Sequence, residues 1–297
     1  MIAAASSLEE AVRGLYGGDC RIESRRSVGG GDINAAAVLE LTGGHRIFLK
    51  ENRSDLAPMF AAEAVGLEAL AKVGRRSGAP PVPAPLAWGT DGRWSFLLLE
   101  EVRSGRLKSG EAFGRALAAL HREGRSGSCG FEGDNWIGST PQPNGRMDDW
   151  RAFFAERRLG FQWRLARKRG YGDAAAERAM DSLLRKLPDL LPDVDDGRPS
   201  LIHGDLWGGN WMAGADGRAW LIDPAAYYGH READLAMTEL FGGFPAGFRD
   251  GYSEAWPLEP GYPERRDIYN LYHVLNHVNL FGGGYWSGAA STLSRYA

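Results

Sequence analysis

The rhythm of apolar and polar positions changes about a third of the way along the chain. Residues 6–16, "SSLEEAVRGLY", place apolar side chains at helical spacing behind Ser7 and Glu10, the interval of a capping box, and predict a short helix. "CRIESRRSVGGGDIN", "AAAVLELTGG" and "HRIFLKEN" follow as short apolar runs divided by glycine turns, which predicts an antiparallel meander. The period and alanine content of residues 55–73 predict a helix, stopped by the breaker run "GRRSGAPPVPAPL". "LAWGTDGRWSFLLLEEV" reads as a hairpin around Asp91-Gly92.

Beyond Val102 the helical period dominates. Helices are expected at 110–123, 148–169 and 173–187, and helical, aromatic-rich text returns from about 232. Between the first two lies "RSGSCGFEGDNWIGSTPQPNGRM", a loop of more than 20 residues. Loops of that length are functional or disordered as a rule, and Cys129, Trp136 and Ile137 argue for order. A strand-rich first third before a helical remainder predicts an α+β chain of two lobes, residues 1–102 and 103–297, with a cleft between them.

Composition narrows the function classes. The 297 residues are 43% hydrophobic and 25% charged, as in ordinary globular proteins, and the net charge of −3 makes no electrostatic case for nucleic acid or an anionic membrane. The first residues carry neither a basic segment nor an apolar run of leader length, and nothing approaches the roughly 18 apolar residues of a membrane span. Cys20 and Cys129 make no disulfide framework and are expected as free thiols, which points to a cytoplasmic protein. The basic run "ERRLGFQWRLARKRG" is expected to be a solvated helix face. His273 and His277 stand four apart without the H-E-x-x-H pattern or a third ligand, so packing or a pocket wall is expected of them rather than zinc.

The chemistry concentrates in "LIHGDLWGGNWM", residues 201–212. Asp205 and Asn210 are five apart, the spacing of a kinase catalytic loop, where the acid accepts the acceptor-hydroxyl proton and the amide oxygen holds Mg²⁺. Thirteen residues after Asn210 an apolar run ends in Asp223, placed as the second metal carboxylate, and "MAGADGRAWLI" between them reads as a hairpin that returns both ligands to one side. Upstream, Gly29, Gly30 and Gly31 form a glycine turn between strands, able to bring backbone N–H groups to phosphates. Lys50 is placed on a strand, and Glu63 in the following helix is its expected partner, with Glu68 as a competitor. The backbone of Glu100 and Val102 is placed at the hinge, against adenine. The ordered set implies ATP and Mg²⁺.

The text around these positions resembles the fructosamine kinase (ketosamine 3-kinase) family, within the larger group that includes aminoglycoside phosphotransferases and choline kinases. The strings that carry the resemblance are "HGDLWGGNW", "DPAAYYGHREADLAMTELFGGFP", "DNWIG…PQPNG…DDWRAFFAERRL" and "YNLYHVLNHVNLFGGGY". Aminoglycoside kinases share H-G-D-x-x-x-x-N but do not usually carry the Trp two residues after the Asp. The resemblance runs from about residue 15 to 290 and implies a two-lobed protein-kinase-like fold. It further implies transfer of the γ-phosphoryl of ATP to the 3-hydroxyl of a ketoamine, on a small amine, lysine or a glycated protein. The product of such a reaction is unstable, which makes the activity one of deglycation.

Carried over by position, the resemblance makes Asp205 the catalytic base, Asn210 and Asp223 the Mg²⁺ ligands, and Lys50 with Glu63 the phosphate-holding pair. Trp207, Tyr228 and His230 are placed in the sugar pocket, and Asp234 as a support of the catalytic loop. Some relatives carry a redox-active Cys in the glycine-rich loop, whereas Asp32 stands in that neighbourhood here, so no loop-disulfide switch is expected. An aminoglycoside or other small-alcohol kinase of the same fold is the alternative, and a non-catalytic pseudokinase a third reading. The oligomeric state is left open, with a monomer favoured.

Overall fold

The structure is a computed structural model that describes residues 4–29 and 33–296. Its first lobe runs β1 (Ala4–Ala5), α1 (Leu8–Tyr16), β2 (Ile22–Val28), β3 (Ala35–Leu41), β4 (His45–Arg53), α2 (Ala57–Ser77), β5 (Pro85–Asp91) and β6 (Trp94–Glu100). These strands form one six-stranded sheet in the order β1-β5-β6-β4-β3-β2. The expected meander is present as β2, β3 and β4, and β5 and β6 close the hairpin at Asp91 and Gly92. The sheet is not antiparallel throughout: β1 runs parallel to β5, with Ala4 opposite Trp88. Two residues are too few to show a period, so that edge strand could not be read from the pattern.

Alternation along β4 sets up the site. Ile47 and Leu49 are fully buried in a cluster with Val12 of α1, Leu39 and Phe96. The intervening Phe48 and Lys50 face the other way and line the cleft.

The helix starts follow cap chemistry. Ser7 Oγ accepts the Glu10 N–H at 3.1 Å, while the Glu10 carboxylate accepts from the Ser6 N–H (2.8 Å) rather than from Ser7, so only half of the expected capping box forms. The helix expected at 55–73 begins after a 3₁₀ turn at Ser54–Leu56 and continues to Ser77. Gly74 does not stop it, because one interior glycine costs only about 1 kcal/mol. The stop is Gly78, left-handed at φ 72°, followed closely by Pro80 and Pro81.

The second lobe comprises α3 (Gly110–Glu123), β7 (Asn135–Ile137), β8 (Thr140–Gln142), α4 (Trp150–Phe153), α5 (Gly160–Lys168), α6 (Ala174–Leu190), β9 (Ser200–Ile202), β10 (Trp211–Ala213), β11 (Ala219–Leu221), β12 (Tyr227–Gly229), α7 (Glu232–Leu240), α8 (Phe248–Ala255), α9 (Tyr262–Phe281) and α10 (Trp286–Ser294). Ser109, Asp149 and Asp173 cap α3, α4 and α6 by accepting N–H groups at 3.0, 2.9 and 2.8 Å. The helix expected at 148–169 is interrupted by a π-helical turn, Phe154–Leu159. Within that turn Arg158 is fully buried, its guanidinium 3.9 Å from the Tyr227 ring centroid and donating to the Pro143 carbonyl and Asn144 Oδ1. The basic run is therefore not one solvated face: Arg164, Arg167, Lys168 and Arg169 are exposed, and Arg158 belongs to the core.

The long segment before α4 is ordered by β7 and β8 and by amide bonds. Asn135 Oδ1 accepts from Gln142 and Asn144, and Asn135 Nδ2 donates to the Ala226 carbonyl at 2.9 Å. Those bonds fasten the segment to the stretch just after Asp223. Cys20 and Cys129 are buried free thiols. Among the described residues no helix is long and apolar enough to cross a membrane.

Candidate active site

The catalytic-loop geometry begins with the hairpin. β10 pairs antiparallel with β11, Trp211 opposite Leu221, and the Ile222 N–H bonds the Asn210 carbonyl at 3.0 Å. Asn210 and Asp223 thereby emerge at the same end, as the turn between them predicts.

His203 fastens the loop to that hairpin. Its Nδ1 accepts the Asp205 N–H at 3.4 Å and its Nε2 lies 2.9 Å from the Ile222 carbonyl, which places the ring proton on Nε2. Burial lowers its pKa, so the ring is held neutral. Gly204 adopts φ 82°, and a Cβ there would lie 2.1 Å from the Ala225 carbonyl oxygen, which leaves room for glycine alone. Asp234, on the first turn of α7, receives the His203 and Gly204 N–H groups at 2.7 and 2.8 Å and the His121 ring at 3.1 Å. The support role expected of Asp234 thus has a geometric basis.

Asn210 is oriented by its neighbour. Its Nδ2 donates to the Asp205 carbonyl (2.8 Å) and to Asp205 Oδ2 (3.1 Å). Both amide protons are directed at Asp205, so Asn210 Oδ1 and Asp205 Oδ1 are the atoms with no hydrogen-bond donor among the described residues. Burial, then the Asp223 carboxylate, pushes the Asp205 carboxyl up to about 7, against the opposing bond from Asn210. Asp223 itself sits at φ 57°, a left-handed conformation uncommon for a residue with a Cβ, and its side chain remains 47% exposed.

Lys50 reaches this acid from the other lobe. Its Nζ lies 2.6 Å from Glu63 Oε1 and 2.7 Å from Asp223 Oδ1. Burial alone would favour the neutral amine, but Asp223 and Glu63 outweigh it and raise the pKa, so Lys50 is a cation. Glu63 rather than Glu68 makes the pair, since Glu68 forms no ion pair among the described residues.

These groups share one cavity of about 1260 Å³, whose wall includes Gly29, Phe48, Val102 and Trp207 as well as the ionic residues. Trp207 is 40% exposed and faces the cavity rather than the core. At the hinge, the Glu100 N–H donates to the Ala84 carbonyl at 2.8 Å and is not free for a ligand, whereas the Val102 N–H has no such partner among the described residues. Gly30, Gly31 and Asp32 lie outside the described residues.

Two expected pocket residues are elsewhere. Tyr228 lies on β12, beside Phe131 and under the Arg146 guanidinium, and His230 is buried between Trp150 and Tyr269, with Nδ1 3.1 Å from the Tyr269 hydroxyl. Neither lines the cavity, because the chain turns into the core at Ala225–Tyr227. The residues that do complete its wall are Trp136, Phe241, His277, Phe281 and Tyr285. Of these, His277 is open to a pocket-wall reading from the sequence, and "NHVNLF" adds that His277 and Phe281 share a helix face at a four-residue interval.

The chain is similar to known proteins over nearly its whole length. A probable ketoamine kinase of Synechocystis is 47% identical over 279 residues, covering 93% of this chain and 90% of that protein. The chloroplastic protein-ribulosamine 3-kinase of Arabidopsis thaliana is 42% identical, covering 91% of this chain and 81% of that protein. The crystal structure of a protein from Haemophilus somnus described as a fructosamine-3-kinase superposes with a TM-score of 0.85 at 30% identity, over 98% of this chain and 96% of that one. A macrolide 2′-phosphotransferase, at 14% identity and a TM-score of 0.56, shares the fold alone. The fructosamine kinase family model matches residues 5–297, and the chain belongs to that family.

Proposed function

We propose that the cleft transfers the γ-phosphoryl group of ATP to the 3-hydroxyl of a ketosamine and so acts in deglycation. The observation that carries this reading is the convergence of Lys50–Glu63, Asp205–Asn210 and Asp223 on one cavity. The names of the relatives supply the substrate class, and the cavity wall is compatible with it. In this reading the nucleotide-binding lobe is 1–102 and the catalytic lobe 103–297. The two free thiols suit a cytoplasmic setting.

Lys50, fixed by Glu63, binds the nucleotide phosphates, with the glycine turn at Gly29 beside them and the Val102 backbone at the base. Asp205 Oδ1 accepts a hydrogen bond from the acceptor hydroxyl, aligns its oxygen and takes its proton as the new P–O bond forms. The bond from the γ-phosphorus to the bridging oxygen breaks, releasing ADP. The elevated pKa favours that proton transfer near neutrality. Asp234 and His203 hold the loop that carries Asp205, and Trp207 offers a flat apolar face to the sugar.

The donor set fits Mg²⁺, which is held by one or two protein oxygens together with phosphates and water. Asn210 Oδ1, with both amide protons directed elsewhere, and the half-exposed Asp223 carboxylate are the oxygens that would hold it. Bound there, the ion would neutralise charge on the transferring phosphoryl group.

An aminoglycoside kinase requires acids for a polycation. Glu132, Asp134, Asp148 and Asp149, the acids of residues 125–149, do not line the cavity, whose carboxylates are Glu63, Glu100, Glu101, Asp205 and Asp223. The test is ATP consumption with Mg²⁺ against fructosyl-lysine, ribulosyl-lysine, kanamycin and choline. Turnover on a ketosamine supports the reading; turnover only on kanamycin or choline transfers it to the alternative, and ATP binding without any turnover supports a pseudokinase.

A further inference from the structure

The cavity that holds Asp205 has a second chemical character away from its ionic end. Trp207 meets Phe241 edge-on, with ring centroids 6.3 Å apart. Phe241 lies 5.0 Å from His277, which in turn lies 5.5 Å from Phe281 and 5.0 Å from Tyr285. Of the seven exposed large hydrophobic residues among those described, Trp207, Phe241, Phe281 and Tyr285 are four. That concentration on one cavity wall marks a binding surface rather than scattered exposure.

His277 stands among these rings. Its Nδ1 is 2.8 Å from the His273 carbonyl oxygen, which can only accept, so the proton is on Nδ1 and Nε2 carries the lone pair. Nothing among the described residues donates to Nε2. Burial keeps the imidazole below its ordinary range and therefore neutral. An acceptor ringed by aromatic faces suits an N–H cation of modest size, whose hydrogen bond it accepts and whose charge the ring faces attract.

We propose that His277 and its aromatic neighbours form the amine-recognition site of the cleft. Nε2 accepts an N–H of the protonated secondary amine of the ketosamine, and Trp207, Phe241 and Phe281 surround its charge. This deepens the ketosamine reading and rests on it. The spacing agrees: His273 Nδ1 is 4.0 Å from Asp205 Oδ1, and His277 is one helical turn farther along α9, about 6 Å. In a ketosamine four covalent bonds separate the amine nitrogen from the 3-hydroxyl oxygen, so a nitrogen held at His277 leaves that oxygen within reach of Asp205. The carboxylates lining the cavity are Glu63, Asp205 and Asp223 at the ionic end and Glu100 and Glu101 at the hinge. The aromatic wall thus reads a single soft cation, not a polycation.

The test compares two acceptors that differ at one atom, 1-deoxy-1-(propylamino)fructose and 1-O-propylfructose, in which an ether oxygen replaces the amine. The kcat/KM ratio of amine to ether is measured for the natural protein, His277→Ala, His277→Gln and Phe241→Leu, with thermal melting to establish folding. Loss of a hydrogen bond to a charged group predicts that the ratio falls about tenfold in His277→Ala. It falls about threefold in Phe241→Leu, which loses a cation–π face. His277→Gln, which keeps an acceptor, retains most of it. An unchanged ratio in folded His277→Ala and Phe241→Leu overturns the inference, as does equal use of amine and ether by the natural protein, while phosphorylation of either compound leaves the sugar-kinase reading intact. Phosphorylation of neither compound defeats the ketosamine reading and this inference with it.

Discussion

Asp234 Oδ1 accepts the backbone N–H of Gly204 at 2.8 Å, linking the first turn of α7 to the glycine that precedes the catalytic acid. The same carboxylate takes the His203 N–H and faces the His121 ring, so its charge is fully engaged inside the core. Burial pushes the Asp234 pKa up, but the bond from His121 and its other donors more than offset this, and the net shift is downward. A depressed carboxylate contributes stability above its unfolded pKa of about 4 and loses it as pH falls below that value. Asp234→Asn is therefore expected to lower stability by about 2 kcal/mol at pH 7, the scale of a hydrogen bond to a charged group. Denaturant unfolding at pH 7 and pH 3.5 checks this: the gap between the two proteins narrows at the lower pH. Phosphoryl transfer falls with it, since the loop loses its anchor.

The bridge from Lys50 to both Glu63 and Asp223 predicts a graded series. Lys50→Met removes a cation from the phosphate site and lowers kcat about a hundredfold, the scale for loss of one preorganised charge-stabilising group. Glu63→Gln costs less, because the amide oxygen still accepts from Lys50. Glu68→Gln serves as the control and retains the natural rate. Steady-state kinetics of the three variants at saturating ATP separates them, and equal losses at Glu63 and Glu68 would contradict the pairing.

Asp205 is kept where a carboxylate is uncomfortable. Its pKa of about 7 lies above the unfolded value of about 4, so ionisation destabilises the folded state. Stability contributed by the protonated form is present below pH 4 and is lost as pH rises from about 4 to 7. The ceiling on that loss is roughly 1.4 kcal/mol for each pH unit between the two values. Asp205→Asn is therefore expected to melt higher than the natural protein when nucleotide and metal are left out. The difference is larger at pH 8 than at pH 5. The same variant loses about 10²- to 10⁴-fold in kcat, the usual range for a missing general base. Scanning calorimetry at the two pH values, beside the rate, shows whether stability and activity trade against each other here.

Most of the ionic centre is legible in the sequence because short-range geometry dictates it. The five-residue interval from Asp205 to Asn210 and the hairpin between Asn210 and Asp223 confine three side chains to one end of two short strands. Lys50 is readable from its place on a strand, and period two turns it away from Ile47 and Leu49. The path of the chain beyond Asp223 is not readable in this way. Whether Tyr228 and His230 continue along the cleft depends on the cage of Trp150, Phe131 and Tyr269, contributed by distant segments. Arg158 departs from the solvated-face expectation for the same reason, since its burial depends on Asn144 and Tyr227. The aromatic wall leaves little trace in the sequence, because Phe241 meets Trp207 and His277, from distant segments, only in the folded chain.

If the cleft is a ketosamine 3-kinase site, it places the 3-hydroxyl, and not another oxygen, against Asp205. The most direct measurement is phosphorus-31 and carbon-13 NMR of the product formed from fructosyl-lysine, Mg²⁺ and ATP. Phosphorus coupling that assigns the ester to O3, with no such product from Asp205→Asn at equal protein concentration, is the predicted result. Phosphate on any other hydroxyl, or an undiminished O3 product from Asp205→Asn, would contradict that placement.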